Sequence, residues 1–360
     1  MKLWPTGPTS SPSGGVPAPQ QSHVLPGPED FAAAVHALRR GEPVAFPTET
    51  VYGLGADALT PPAVARVFEL KGRPANNPLI VHVVSADAAR DLTSAWDSRA
   101  QALAHAFWPG PLSIILPKSP RIPSLVSAGS PNVALRCPAH PAALALLTAF
   151  AGPLVGPSAN RSGAVSPTTS AHVREAFPDL LVLEGGPCAR GIESTVVSLA
   201  HARPRILRPG VISADQLQAV LGVPVDSPAC SAADASTPLA SPGLLASHYA
   251  PASPTFLLTP ADLQAHLRAD LHADIRSGSP RLLAAVVVHH SPLSLPASTR
   301  SIRMPEDAPQ YAARLYAALR DADALRPSAI LIERPSPSGP DSHIWLAVLD
   351  RLLRATAERP

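Results

Sequence analysis

Residues 41–84 read GEPVAFPTETVYGLGADALTPPAVARVFELKGRPANNPLIVHVV. This stretch orders the rest of the chain, because it sets turn chemistry, hydroxyls and fixed positive charge between two apolar runs. Pro43 to Phe46 reads as a short buried strand, ended by Pro47, which has no N–H to give a ladder. Thr48, Glu49, Thr50 and Tyr52 then present polar groups at a strand end, where α/β proteins place ligands, and Gly53 and Gly55 allow a positive φ or close backbone approach. Thr60 followed by Pro61 reads as a helix N-cap and first position, with Val64, Val67 and Phe68 spaced i, i+3, i+4. The helix is expected to stop at Gly72 and Pro74, and Asn76-Asn77-Pro78 turns into an apolar strand from Leu79 to Val84.

Lys71 and Arg73 therefore sit at a helix exit. The chain has 29 Lys+Arg, of which only Lys2, Lys71 and Lys118 are lysines. A rotatable point charge beside a planar fork suits a polyphosphate approached from two directions. As mere complements to a helix dipole the two cations contribute about 0.3–1 kcal/mol each. In a cleft, 4 Å from a phosphate, each is worth about 4 kcal/mol at an effective dielectric near 20.

Upstream, Glu29-Asp30 with Phe31, Val35 and Leu38 marks a short helix closed by Gly41. Downstream, the pattern predicts one helix over 87–107, a rigid Trp108-Pro109-Gly110-Pro111 turn, and strands over 112–116, 132–136 and 153–155. Helices are expected over 141–150, 168–177 and 214–221, and further strands over 181–184, 194–199 and 205–208. Between them, GPSANRSGAVSPT (156–168) is a glycine-punctuated loop rich in hydroxyls and N–H groups, fit for a phosphate or ribose.

At 360 residues and 46% apolar the chain has material for about two domains. A net charge of +2 does not by itself argue for a nucleic-acid partner. Three well-separated cysteines, Cys137, Cys188 and Cys230, without a CxxC indicate neither a disulfide framework nor a zinc site and point to a reducing compartment. No run reaches the apolar length of a membrane span, and residues 1–28, rich in Pro, Ser and Gly, carry no secretory or transit signal. The expected organisation is a flexible tail (1–28), a catalytic domain (29–222), a Pro-rich linker folding over the site (223–254) and a small α/β domain (255–360) in which strands and helices alternate.

PTETVYGLG (47–55) followed by KGRPANNPLIVH (71–82), with Ser158-x-Asn160 downstream, resembles the YrdC-like family of threonylcarbamoyl-adenylate synthases in its long two-domain form. The resemblance implies an α/β fold: a twisted, open mixed sheet with helices, plus a smaller parallel, Rossmann-like α/β domain. It implies a nucleotidyltransferase that joins L-threonine, bicarbonate and ATP into threonylcarbamoyl-AMP and pyrophosphate, the first step of the threonylcarbamoyladenosine modification of tRNA.

Carried over onto this sequence, the resemblance puts Lys71, Arg73, Ser158 and Asn160 at the reaction. It puts Thr50, His82, Arg136, Gly156 and Ser194 on threonine, and Arg73, Asn77, Asn132, Ser158, Ser166, Arg208 and Tyr249 on ATP. SPGLLASHYAP (241–251) matches the family's linker motif but has Leu245, Ala246 and Ser247 where basic and aromatic residues are usual. With no Walker lysine loop and no carboxylate pair standing out, Mg²⁺ is expected to arrive on the triphosphate, keeping most of its waters, and no protein metal site is expected. The expected setting is the cytoplasm, with a downstream tRNA-modifying transferase taking the product and weak tRNA binding in addition. Two other classes are compatible with the residues: a non-catalytic RNA-binding module using the same basic concavity, and a carbamoyl transferase, whose usual extra cysteine patterns this chain lacks.

Overall fold

The computed structural model describes residues 26–227, 248–277, 285–293, 295 and 299–357. Most of the expected tail, and the middle of the expected linker with Cys230, Leu245, Ala246 and Ser247, lie outside the described residues.

α1 (Pro28–Arg39) leads into β1 (Val44–Phe46), which Pro47 ends as expected. The next segment is not only a turn, because Gly53 and Gly55 belong to a strand, β2 (Gly53–Asp57), paired antiparallel with β1. Alternate glycines are what this strand needs: a Cβ on Gly53 or Gly55 would come within 3.0 Å of the Phe46 ring. α2 (Pro61–Lys71) starts after Thr60, whose hydroxyl bonds Asp57 Oδ2 at 2.7 Å instead of capping, and stops at Gly72 with φ 60°. It feeds β3 (Ile80–His82).

The single helix expected over 87–107 is two. α3 (Ala86–Arg90) is capped by Ser85 and α4 (Ser98–Phe107) by Asp97, each side chain accepting a backbone N–H. Between them Thr93 bridges to Lys118 and its hydroxyl donates to Pro117 O, which clips the segment to β4 (Leu112–Pro117). The chain continues through β5 (Asn132–Arg136), α5 (Pro141–Phe150), β6 (Leu154–Val155), α6 (Ser170–Ala176), β7 (Thr195–Ser198), β8 (Arg205–Arg208) and α7 (Ala214–Leu221). The strand expected over 181–184 is only an isolated bridge, Val182 beside Ala45.

The eight strands form one mixed sheet in the order β1-β2-β6-β3-β5-β4-β7-β8. Strand alternation sorts its two faces. Val81, Ile114, Leu135 and Val197 point into the main core with Val64, Val67 and Leu103 of the covering helices. On the opposite face α1 and α5 cover Val44, Phe46 and Leu154 at the β1–β6 end, and beyond them the strands carry a small apolar cluster of Ile80, Ile115, Ala134 and Val196, which leaves room for a site.

The second unit comprises β9 (Thr255–Leu258), α8 (Pro260–Ser277), β10 (Ala285–His289), β11 (Arg300–Arg303), α9 (Ala308–Ala324), β12 (Ala329–Glu333) and α10 (Ser342–Ala355). Its sheet, ordered β11-β10-β12-β9, is parallel throughout. Its core continues into Val51, Val165, Ile192 and Tyr249 of the first unit and the segment after it, so the two units share one apolar interior.

Candidate active site

The face of the large sheet beyond α1 and α5 supplies the floor. Because side chains alternate, His82 shares a face with Ile80, and Asn132 and Ala134 with Arg136. Two hollows lie along this floor and meet at Leu79. One, of about 40 Å³, is lined by Thr50, Arg73, His82, Arg136, Gly156, Ser158 and others; the second, of about 180 Å³, holds Asn132, Ser198 and Arg205. Four steps of strand separate Asn132 from Arg136, roughly 13 Å.

At the Arg136 end the guanidinium is 4% exposed. Its Nη1 donates to Thr50 Oγ1 (3.0 Å), its Nε to Gly110 O (3.2 Å), and its Nη2 lies 2.7 Å from Glu49 Oε1. Thr48 positions Thr50, hydroxyl to hydroxyl at 2.9 Å. The fork is thus aimed by the PTET turn and the WPGP turn, and it already carries a carboxylate of its own chain. His82 packs edge-on against Phe46, its Nδ1 has no partner, and a Cβ at Gly156 would stand 2.5 Å from that nitrogen, so glycine is required there.

At the other end Arg73 is held by its own turn: Nε donates to Asn77 O (3.0 Å), and Nη2 to Asn77 Oδ1 (2.5 Å) and Pro78 O (2.7 Å). Since the amide oxygen of Asn77 faces the guanidinium, its buried Nδ2 is left without a partner. Burial draws the Arg73 pKa down to about 9, with Arg208 pushing the same way and Tyr249 opposing. Arg208 donates to Ser194 O (2.9 Å) and Ser194 Oγ (3.0 Å), and that hydroxyl also pairs with Ser113 at 2.8 Å.

Not every expected site residue lines the hollow. Ser158 does, but Lys71 and Asn160 stand behind it. The Lys71 ammonium donates to the carbonyls of Ser158 and Asn160, at 2.5 Å each, and Asn160 Nδ2 ties down Arg161 O and Ala164 O. Lys71 therefore acts in this structure as the post of the SxN loop; burial and then Arg73 hold its pKa well below the usual lysine value. Ser194 is fully buried under Arg208, and the Ser166 hydroxyl donates to Glu193 Oε1 (2.8 Å) rather than facing the hollow. Asn132 belongs to the second hollow.

His248 and Tyr249 close the first hollow from above. Tyr249, at φ 63°, stacks on Tyr316 of α9 with centroids 5.4 Å apart, and its hydroxyl has no partner. Two participants escaped the sequence reading. Glu193 lines the hollow as a buried carboxylate, signalled by a lone charge among the buried residues of GIEST. Arg351 is fully buried on α10 and signalled by its spacing: it lies on the apolar stripe of Ile344, Ala347 and Val348. Cys188 is buried, and desolvation lifts its thiol pKa, which suits packing and not nucleophilic chemistry.

His82 and His248 are both held well below the usual histidine pKa, first by burial and next by arginine, Arg136 for His82 and Arg73 for His248. The unfolded chain then binds more protons than the folded one below about pH 6.5, so stability falls as pH falls through that value. Two such groups amount to about 2–3 kcal/mol over one pH unit. The thermal midpoint should drop by several degrees between pH 7.5 and 5.5; a flat profile would contradict the burial of these rings.

The Arg136 fork at one end of the hollow and the guanidiniums of Arg73 and Arg208 at the other suit a carboxylate and a phosphate, the needs of an enzyme that transfers a nucleotidyl group to an acid. The comparisons with known proteins agree. A family model described as "Telomere recombination" matches residues 36–210, and one described as "Threonylcarbamoyl-AMP synthase, C-terminal domain" matches residues 212–357. The threonylcarbamoyl-AMP synthase of Bacillus subtilis is 38% identical over 335 residues, covering 91% of this chain and 93% of its own. That of Pyrococcus abyssi is 37% identical over 325 residues, covering 89% and 92%. A solved structure of P. abyssi Sua5 complexed with L-threonine superposes with a TM-score of 0.80 at 37% identity, covering 91% of this chain and 94% of that one. The chain belongs to the threonylcarbamoyl-AMP synthase family, in its two-domain form.

Proposed function

We propose that this chain joins L-threonine, bicarbonate and ATP into threonylcarbamoyl-AMP with release of pyrophosphate, as the first step toward threonylcarbamoyladenosine in tRNA. The observation that carries the reading is that Thr50, His82 and Arg136 face the same hollow as Arg73, Ser158 and Arg208. In this reading Arg136 and Thr50 take the threonine carboxylate. His82, neutral at physiological pH, offers a hydrogen bond and not a charge.

The nucleotide lies along the sheet, its base in the hollow of Asn132 and its phosphates toward Arg73, Arg208 and Ser158. The threonine amine attacks the bicarbonate carbon, the C–OH bond breaks, and the hydroxyl leaves as water with an amine proton, giving a carbamate. A carbamate oxygen attacks the α-phosphorus, the bond from that phosphorus to the bridging oxygen breaks, and pyrophosphate leaves with the electron pair. Arg73 and Arg208 stabilise the charge gathering on the phosphoryl oxygens, while the fixed threonine supplies orientation.

A hollow of about 40 Å³ is well below the roughly 300–1,000 Å³ of ligand pockets, so ATP enters by displacing the Tyr249 segment. Among the described residues lining the hollow Glu193 is the one carboxylate, and Ser166, Tyr316 and Arg351 already engage it. A carboxylate so engaged does not fit a protein-held metal, and in this reading Mg²⁺ arrives as part of the ATP substrate. No helix among the described residues is long and apolar enough to cross a membrane. In this reading the enzyme works in the cytoplasm, beside a transferase that consumes its mixed-anhydride product, with weak tRNA contact through local basic residues.

The test is pyrophosphate release with each of the twenty amino acids, with and without bicarbonate. Release is expected with threonine and bicarbonate together. Release independent of threonine would refute the substrate, and none at all, with salt-sensitive RNA binding, would favour an RNA-binding module.

A further inference from the structure

The nucleotide half of the site is braced by the second unit. Arg351 of α10 is 0% exposed, yet it sits between units, and its bonds across the boundary end on Glu193, next to the Ser194 that Arg208 holds, and on Pro209, next to Arg208 itself. Nε bonds Glu193 Oε2 (3.1 Å), Nη2 donates to Glu193 O (3.4 Å), and Nη1 donates to Pro209 O (2.7 Å) and to Asp350 Oδ2 (3.0 Å). The guanidinium carbon also lies 5.9 Å from the centroid of Tyr249. Glu193 in turn accepts from Ser166 (2.8 Å) and from Tyr316 (2.8 Å), the tyrosine on which Tyr249 stacks.

A second contact has the same direction. A Cβ at Gly191, φ 70°, would stand 2.4 Å from Ala312 O and Ala313 Cα, so the backbone of α9 rests directly on the glycine two residues before Glu193.

We propose that Arg351 is a positioning residue for the nucleotide: from the second unit it fixes Glu193 and Pro209, and through them sets Arg208, Ser166 and Tyr249 toward the polyphosphate. The inference rests on the nucleotide reading given above. Apolar contacts already dock the two units, and a purely adhesive contact does not require a buried guanidinium, whose desolvation is expensive unless every hydrogen bond is aimed. Across the unit boundary the Arg351 guanidinium bonds Glu193 and Pro209 on the nucleotide side, whereas Thr50 and Gly110 O serve Arg136. The effect should therefore divide between the two substrates.

In the full chain, Arg351→Met should raise KM for ATP at least about ten-fold, the scale of one lost charge-assisted hydrogen bond. Threonine affinity, measured by calorimetry without nucleotide, should stay within about two-fold. Arg351→Lys should recover part of the ATP effect, since an ammonium reaches Glu193 or Pro209 O but does not bridge both as a fork does. Gly191→Ala, which forces α9 off the loop without changing a charge, should reproduce the same split, and it decides the matter with Arg351→Lys if Arg351→Met does not fold. Unchanged KM for ATP in a folded variant, or a parallel loss of threonine and ATP affinity, would overturn the proposal. If the unsubstituted chain itself releases no pyrophosphate, the nucleotide reading has failed and the positioning role falls with it.

Discussion

Arg136→Lys is expected to weaken threonine binding about 30- to 150-fold while the chain stays folded. The lysine keeps a positive charge beside Glu49, so the buried carboxylate at 2.7 Å is not stranded. What is lost is the fork, aimed by Thr50 and Gly110 O, that a carboxylate meets with two parallel bonds, a loss of about 2–3 kcal/mol. Arg136→Ala is a different experiment, because it leaves Glu49 buried without its partner and should destabilise the fold by about 3–5 kcal/mol. Calorimetric titration of threonine into both variants, alongside their thermal midpoints, separates the effects; undiminished threonine affinity in Arg136→Lys would remove Arg136 from the substrate site.

Lys71→Met should lose both turnover and stability. From the sequence alone, this lysine reads as a charge for the triphosphate. The structure assigns its ammonium to two carbonyls, Ser158 O and Asn160 O; methionine leaves Asn160 O without this donor and Ser158 O with only the Asn160 N–H at 3.0 Å, a loss of about 1–3 kcal/mol. The SxN loop would lose its post, and with it the placement of Ser158 in the hollow, so turnover should fall at least about 100-fold. Chemical denaturation with steady-state pyrophosphate release checks both halves. A variant as stable as the parent would contradict the loop-holding role, and full activity would contradict any role.

Elements with a strong period and clear punctuation were legible in the sequence. The α2 helix between Pro61 and Gly72, the strand ending on Arg136 and the helix α7 appear where apolar spacing and the prolines and glycines put them. The misreadings have local causes. GLGAD reads as turn because glycine usually breaks strands, whereas here alternate glycines make room for the Phe46 ring. The Ala-rich 87–107 reads as one helix because alanine propensity masks the caps at Ser85 and Asp97.

Of the candidate site, the sequence made legible the motif residues that line the hollow directly, as with Thr50, Arg73, His82, Arg136 and Arg208. The site was not legible where a side chain holds a neighbour instead of lining the hollow. Ser166 acts on Glu193, Lys71 on carbonyls, and Arg351 reaches across from a helix some 160 residues away along the chain. Long-range polar pairing of that kind leaves no periodic trace. Only the arginine on an apolar helical stripe hints at it.

Threonine and triphosphate should converge in one hollow roofed by Tyr249, and every role assigned above depends on that convergence. A crystal structure of the chain with L-threonine and a non-hydrolysable ATP analogue tests it most directly. The expected result is the threonine carboxylate on Arg136, the phosphates between Arg73, Arg208 and Ser158, the base beside Asn132, and Tyr249 moved from its present place. A nucleotide bound elsewhere, with Tyr249 still stacked on Tyr316 in the filled hollow, would contradict it.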